Sequence, residues 1–163
     1  MHIVSNTSPL SNLAAIGEIE LLQKIYLKIL IPPTVYNELI RFQEIRSTIS
    51  NVIETGWLEM QTPKNTQLIQ TLNQLLDPGE AEAITLAVDI RADSLLIDER
   101  IGRSIASQYN IKIRGILGIL VNAKSQGLIL TVKPLLDRLT GEAGFRVSQA
   151  LYDRILQEAG ESY

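Results

Sequence analysis

No cysteine occurs in the 163 residues, and His2 is the single histidine. Without cysteine there are no disulfides, thiolate nucleophiles or cysteine zinc sites, which fits a reducing cytosol. One histidine leaves no basis for a histidine-rich metal site or for Ser-His-Asp chemistry. There is no surplus of positive charge either: the formal net charge is −3. No global basic field draws the chain onto nucleic acid, so any phosphate binding must be local or assisted by divalent cations. Apolar runs such as "ILGILV" after Gly115 fall well short of the roughly 20 residues that cross a bilayer. Met1-His2-Ile3-Val4 lacks the basic start of a signal peptide, and a soluble cytoplasmic protein with no membrane association is expected. No glycine-rich loop ending in Lys-Ser/Thr and no spaced glycine fingerprint follows any strand, which removes the common nucleotide-binding sites.

What is present is a 45% hydrophobic chain of the size of one ordinary domain, so a single domain over residues 1–163 is expected. It shows no internal repeat, low-complexity tract or linker, and Ser162-Tyr163 are expected to fray. Ile3-Val4 begins a short strand ending at Ser5-Asn6, and Thr7-Ser8-Pro9 carries the residue types that open helices. A helix over about 19–26 follows, then "KILIPP" as a strand stopped by two prolines and "TVYNELIRF" as a helix. Gly56 to Met60 reads as a strand, "NTQLIQTLNQLL" as a helix, and Asp77-Pro78-Gly79 as a break before "EAEAITLAVDI". "SLLI" is the next strand, "RIGRSIASQY" a helix and "IKI" a strand. Beyond Gly115 the pattern is helical, with Gly127 as a stop, then "KPLLDRLTGEAG" and "SQALYDRILQEAG". This alternation predicts an α/β architecture: an open, mostly parallel sheet flanked by helices on both faces, closed off by extra C-terminal helices. The apolar pairs Leu135-Leu139 and Leu151-Ile155 are assigned to the core.

In such sheets ligands bind beyond the carboxyl ends of the strands. Asn6 follows "HIVS", Asp98 and Glu99 follow "SLLI", and Glu80 opens the helix after Pro78-Gly79. Helical periodicity sets Glu80 on a stripe with Ala83, Ile84 and Ala87, facing the sheet, and turns Glu82 towards solvent as a first-turn acid complementing the helix dipole. Glu38 lies within the stripe of Val35, Leu39 and Phe42. A carboxylate on an inward face is costly unless it is paired or metal-bound, and converging carboxylates repel one another. A hard divalent cation, Mg²⁺ or Mn²⁺, relieves both problems through oxygen ligands and can shield charge on a phosphodiester. Ser8, and after it Thr7, offers a hydroxyl to the site, with a helix N-cap as the competing role. Arg100, Arg103 and Arg114 add guanidinium groups, whose forked geometry suits phosphate.

Taken in order, "VSNTSPLSNLAAIG", "IPPTVYNEL", "DPGEAEAITLA", "LLIDERIGRSIA", "GILGILVNAKSQGLI" and "GFRVSQALYDRIL" resemble the PIN-domain family, in its uncharacterised prokaryotic branch related to VapC toxins. The resemblance runs almost end to end. It implies a PIN-like fold, Mg²⁺- or Mn²⁺-dependent cleavage of single-stranded RNA, a cognate antitoxin protein and a homodimer. It also implies a catalytic set of Asn6, Glu38, Glu80 and Asp98. The cation ligands would be Glu38, Glu80 and Asp98, with Glu99 sharing the last position because the alignment there is open by one residue. Ser8 and Arg103 would position substrate. The family's first-strand Asp falls on Asn6, which brings an oxygen but no charge. The alternative is therefore an attenuated PIN-fold module that binds RNA or an antitoxin without turnover. A phosphoacceptor receiver domain would need paired acids where this chain has Ser5-Asn6.

Overall fold

A computed structural model describes residues 1–161; Ser162 and Tyr163, where fraying is expected, lie outside the described residues. The first half of the chain runs β1 (Ile3–Ser5), α1 (Thr7–Ala15), α2 (Glu20–Tyr26), β2 (Ile29–Ile31), α3 (Pro33–Arg41), α4 (Arg46–Glu54), β3 (Leu58–Met60), α5 (Thr66–Asn73) and α6 (Pro78–Asp89). The second half runs β4 (Ser94–Leu96), α7 (Arg100–Gln108), β5 (Ile113–Arg114), α8 (Ile116–Ser125), α9 (Lys133–Gly141) and α10 (Gln149–Glu158). The five strands form one parallel sheet in the order β3-β2-β1-β4-β5. Every residue of β1, β2 and β4 is buried. Successive strand residues point to opposite faces, so helices cover both sides of the sheet. The α/β architecture expected from the alternating pattern, a parallel sheet flanked by helices with further helices at the C-terminus, is the one found.

The order of the strands decides where a site can form. From β1 the chain steps outward through β2 to β3, then returns to place β4 on the other side of β1. The β1–β4 boundary is thus the point where the direction of winding reverses, and it opens a crevice at the carboxyl ends of the two strands. Val4 pairs with Leu95 and Ser5 with Leu96, and the Asn6 N–H donates to the Leu96 carbonyl at 2.9 Å. Residues 6 and 98 are thereby brought to the same end of adjacent strands. Helix α6 packs across both β1 and β4, and α3 packs on α6 and α1.

Several local expectations are corrected. Helix α4 spans a stretch left without an element in the sequence reading. Its buried Ile49 and Val52, with Ile45 just before it, recur at helical spacing and are the signal that carries it. Phe42 lies beyond the end of α3 and is 46% exposed, so the α3 stripe is Val35 and Leu39 alone. Glu82 is not a free solvent acid: it accepts from the Thr34 hydroxyl and from the Thr34 N–H, capping the start of α3. Arg114 belongs to β5 instead of following it. Gly127 ends α8 in the left-handed region at φ 75°. At the C-terminus Leu135, Leu139 and Ile155 are buried and Leu151 is half-buried against the same core. Glu161 then fastens this layer, accepting from the Val132 N–H at 2.6 Å, the Lys133 N–H at 3.1 Å and Lys124 Nζ at 3.0 Å.

Candidate functional site

Helix α1 begins at Thr7, so its N-cap residue is Asn6, not Ser8 or Thr7. An Asn in that position ordinarily turns its side-chain oxygen onto the helix N–H groups; here the side chain makes no such bond. Asn6 is only 4% exposed, and its Oδ1 is buried with no hydrogen-bond partner. A buried carbonyl left unsatisfied costs about 1–3 kcal/mol. It marks a position short of a donor or a cation.

The acids reach this crevice from three further elements. Glu38, half-buried on α3, accepts from the Thr7 hydroxyl. Burial pushes its pKa up, the Thr7 bond acts against that, and the Asp77 charge adds to it. Glu80, in the first turn of α6, is 7% exposed. Burial first, then the Asp77 carboxylate, then the Glu99 and Glu38 charges raise its pKa to about 7. Asp98 follows β4 by two residues and accepts the Ile116 N–H at 2.9 Å and the Ser8 hydroxyl at 3.4 Å. Its pKa is also raised, chiefly by burial, with the Ile116 bond and the Arg103 charge pulling the other way.

Each of these three carboxyl groups lies against a glycine near the start of a following helix. A Cβ on Gly79 would fall 2.6 Å from both Glu38 oxygens, one on Gly102 would fall 3.4 Å from Glu80 Oε2, and one on Gly115 would fall 2.8 Å from Asp98 Oδ1. Any other residue at Gly79 or Gly115 has to displace a carboxylate. The sequence reading used Gly79 only as a helix break and missed all three seats.

Glu99 is exposed and is the N-cap residue of α7 without a side-chain cap bond; its charge acts on both Glu80 and Asp98. Arg103 is half-buried and donates through Nη1 to the Ile97 carbonyl at 3.1 Å. Asp77 is an acid that sequence reasoning passed over. Its Oδ1 accepts the Glu80 N–H at 2.9 Å as the α6 N-cap, and its charge bears on Glu38 and Glu80 alike. The Asp-x-x-Glu spacing before an apolar run was its signal.

The donor chemistry fits a hard divalent cation. Asn6, Glu38, Glu80 and Asp98 all present oxygen, burial above all raises the pKa of the three acids, and the Asn6 oxygen is unpartnered. Among the described residues no three acidic side chains stand close enough together to hold an ion as they are. Thr7 donates to Glu38, and Ile116 and Ser8 donate to Asp98. No described helix is long and apolar enough to cross a membrane.

A family model described as PIN domain matches residues 2–161. Comparison with curated proteins gives no match.

Proposed function

The chain belongs to the PIN-domain family, and on that premise we propose that it is a Mg²⁺- or Mn²⁺-dependent endoribonuclease of VapC-like toxin type that hydrolyses phosphodiesters of single-stranded RNA. The family carries a nuclease fold and is generally dependent on a divalent cation. The observation that carries the reading is the buried, unpartnered Asn6 Oδ1 at the β1–β4 crevice, where burial also disfavours the charges of Glu80 and Asp98.

In this reading Asn6, Glu38, Glu80 and Asp98 would hold the cation, with Glu99 at the rim. A bound divalent cation supplies Lewis-acid activation of water and neutralises charge on the phosphoryl oxygens. The chain's own residues do the rest. Thr7 and Ile116 hold Glu38 and Asp98 near the crevice. Ser8, on the Asp98 carboxylate, offers a hydroxyl to a phosphate oxygen or a water. Arg103, fastened through Nη1 to the end of β4, keeps its other donors for phosphate.

As a toxin the chain would pair with a cognate antitoxin and act as a homodimer. Exposed apolar side chains such as Leu75 and Ile101 offer surface for such contacts. The neutral amide of Asn6 favours one second reading, a PIN module that binds RNA or an antitoxin without turnover. Incubating the protein with single-stranded RNAs in Mn²⁺, Mg²⁺ or EDTA separates the two. Cation-dependent cleavage that Asp98→Asn abolishes establishes the nuclease; RNA binding with no cleavage, rescued to cleavage by Asn6→Asp, establishes the module. Size-exclusion chromatography tests the dimer, and co-expression with the neighbouring gene's product tests the antitoxin.

A further inference from the structure

Beyond the acids, a cleft of about 1200 Å³ runs from Ser8 and Asp98 past the start of α7 and along α8 to α10. It exceeds the roughly 300–1,000 Å³ of a small-molecule pocket, and its lining is unusual for this chain. Five arginines line it, Arg100, Arg103, Arg114, Arg146 and Arg154, against the acids Asp98, Glu99 and Glu158. Two of those acids sit at the site end. On the 142–148 link and α10 the charged lining residues are Arg146, Arg154 and Glu158, in a protein whose net charge is −3. No lysine lines the cleft, and the guanidinium fork is the group that matches phosphate oxygens in pairs.

Arg146 and Arg154 are exposed. Arg154 pairs with Glu158 at 3.3 Å, with side chains 71% and 50% exposed, and such a surface pair is worth too little to hold the arginine from a phosphate. Phe145 is half-buried, packs against the core and lines the same cleft. An aromatic face beside spaced arginines matches a single strand, whose bases are free to stack while its phosphates face the cations. A duplex cannot present its bases in this way, and an acidic peptide has none.

We propose that this cleft is the binding track for single-stranded RNA on one side of the cut bond, with Arg146 and Arg154 engaging phosphates and Phe145 stacking a base. The inference rests on the nuclease reading for its substrate, and it assigns the α9–α10 link and α10 a specificity role that the acidic site does not supply.

The test uses the full chain in EDTA, so that nothing is cut. Fluorescence anisotropy follows a labelled ten-nucleotide oligouridylate, a matched duplex and a polyglutamate peptide over a range of KCl. Arg146→Ala and Arg154→Ala are each expected to reduce the slope of log affinity against log salt by about 0.7. Phe145→Leu is expected to weaken binding about tenfold without altering that slope, while Lys112→Ala, outside the cleft, leaves both unchanged. Thermal unfolding of each variant confirms that the fold is kept. No binding of the single strand, binding unaffected by the three cleft variants, or equal binding of the duplex or the peptide overturns the track. Parent protein that cuts RNA in Mn²⁺ together with unaffected cleft variants removes the track and keeps the nuclease. Cleft variants that lose RNA while the parent never cuts keep the track and remove the nuclease.

Discussion

Glu38 lays its carboxylate against the Cα of Gly79, so close that a Cβ there would lie 2.6 Å from both of its oxygens. The two residues are joined by the packing of α3 on α6. Gly79→Ala is therefore expected to separate stability from function. Alanine favours a helix over glycine by up to about 1 kcal/mol, and the displaced group is the mobile end of a side chain, so the melting temperature should hold or rise slightly. Mn²⁺ affinity, measured by calorimetry, should fall about tenfold, as it does when a neighbour that orients a ligand is changed. A large loss of stability would show that Glu38 cannot move.

Asn6→Asp adds a charge where an unpartnered oxygen is buried. In EDTA the variant should be less stable than the parent, by on the order of 1 kcal/mol, because the new carboxylate joins acids already held above their usual pKa. With Mn²⁺ the order should reverse, and affinity should rise at least about tenfold as ligand charge increases. Urea titrations with and without the cation give both values.

Glu80 contributes to the pH dependence of the cation-free protein alongside Glu38 and Asp98. Its pKa rises from 4.5 unfolded to about 7 folded, so its contribution to stability is fully present below pH 4.5 and is lost as pH rises through 7. The parent should therefore lose on the order of 1–3 kcal/mol relative to Glu80→Gln between pH 4.5 and 7.5 in EDTA. Mn²⁺ competes with the same proton, so its affinity should climb over that interval. Parallel pH curves for parent and variant would refute the assignment.

Glu161 acts in the opposite sense. Burial pushes its pKa up, but the bonds from Val132, Lys124 and Lys133 outweigh this and hold it below the usual carboxylate range. A carboxyl with a depressed folded pKa stabilises above its unfolded value and loses that contribution as pH falls through the folded one. Glu161→Ala should cost about 2–4 kcal/mol at pH 7, since it strands two N–H groups and leaves Lys124 without its carboxylate. The deficit should shrink below pH 4, and RNA binding should be affected only through α10.

Much of this protein was legible locally. Short apolar runs bounded by Pro, Gly and Asn identify the strands, and helical periodicity turns Glu80 inward, because both signals are properties of consecutive residues. The same periodicity is present in Ile45, Ile49 and Val52, so the signal for α4, too, is a property of consecutive residues. Glu82 was misread because its partner, Thr34, lies 48 positions away.

By itself, then, the sequence determined the α/β alternation, the family, and which polar residues follow strands or open helices. Only the tertiary structure decided that β4 lies beside β1, that Glu38, Glu80 and Asp98 each rest on a glycine of another segment, and that Asp77 enters the same field of charge. It also decided that arginines from α7, β5, the 142–148 link and α10 share one cleft. Periodicity and capping act over one or two turns. Proximity between distant segments, and the burial that moves a carboxyl's pKa, exist only once the sheet has chosen its strand order.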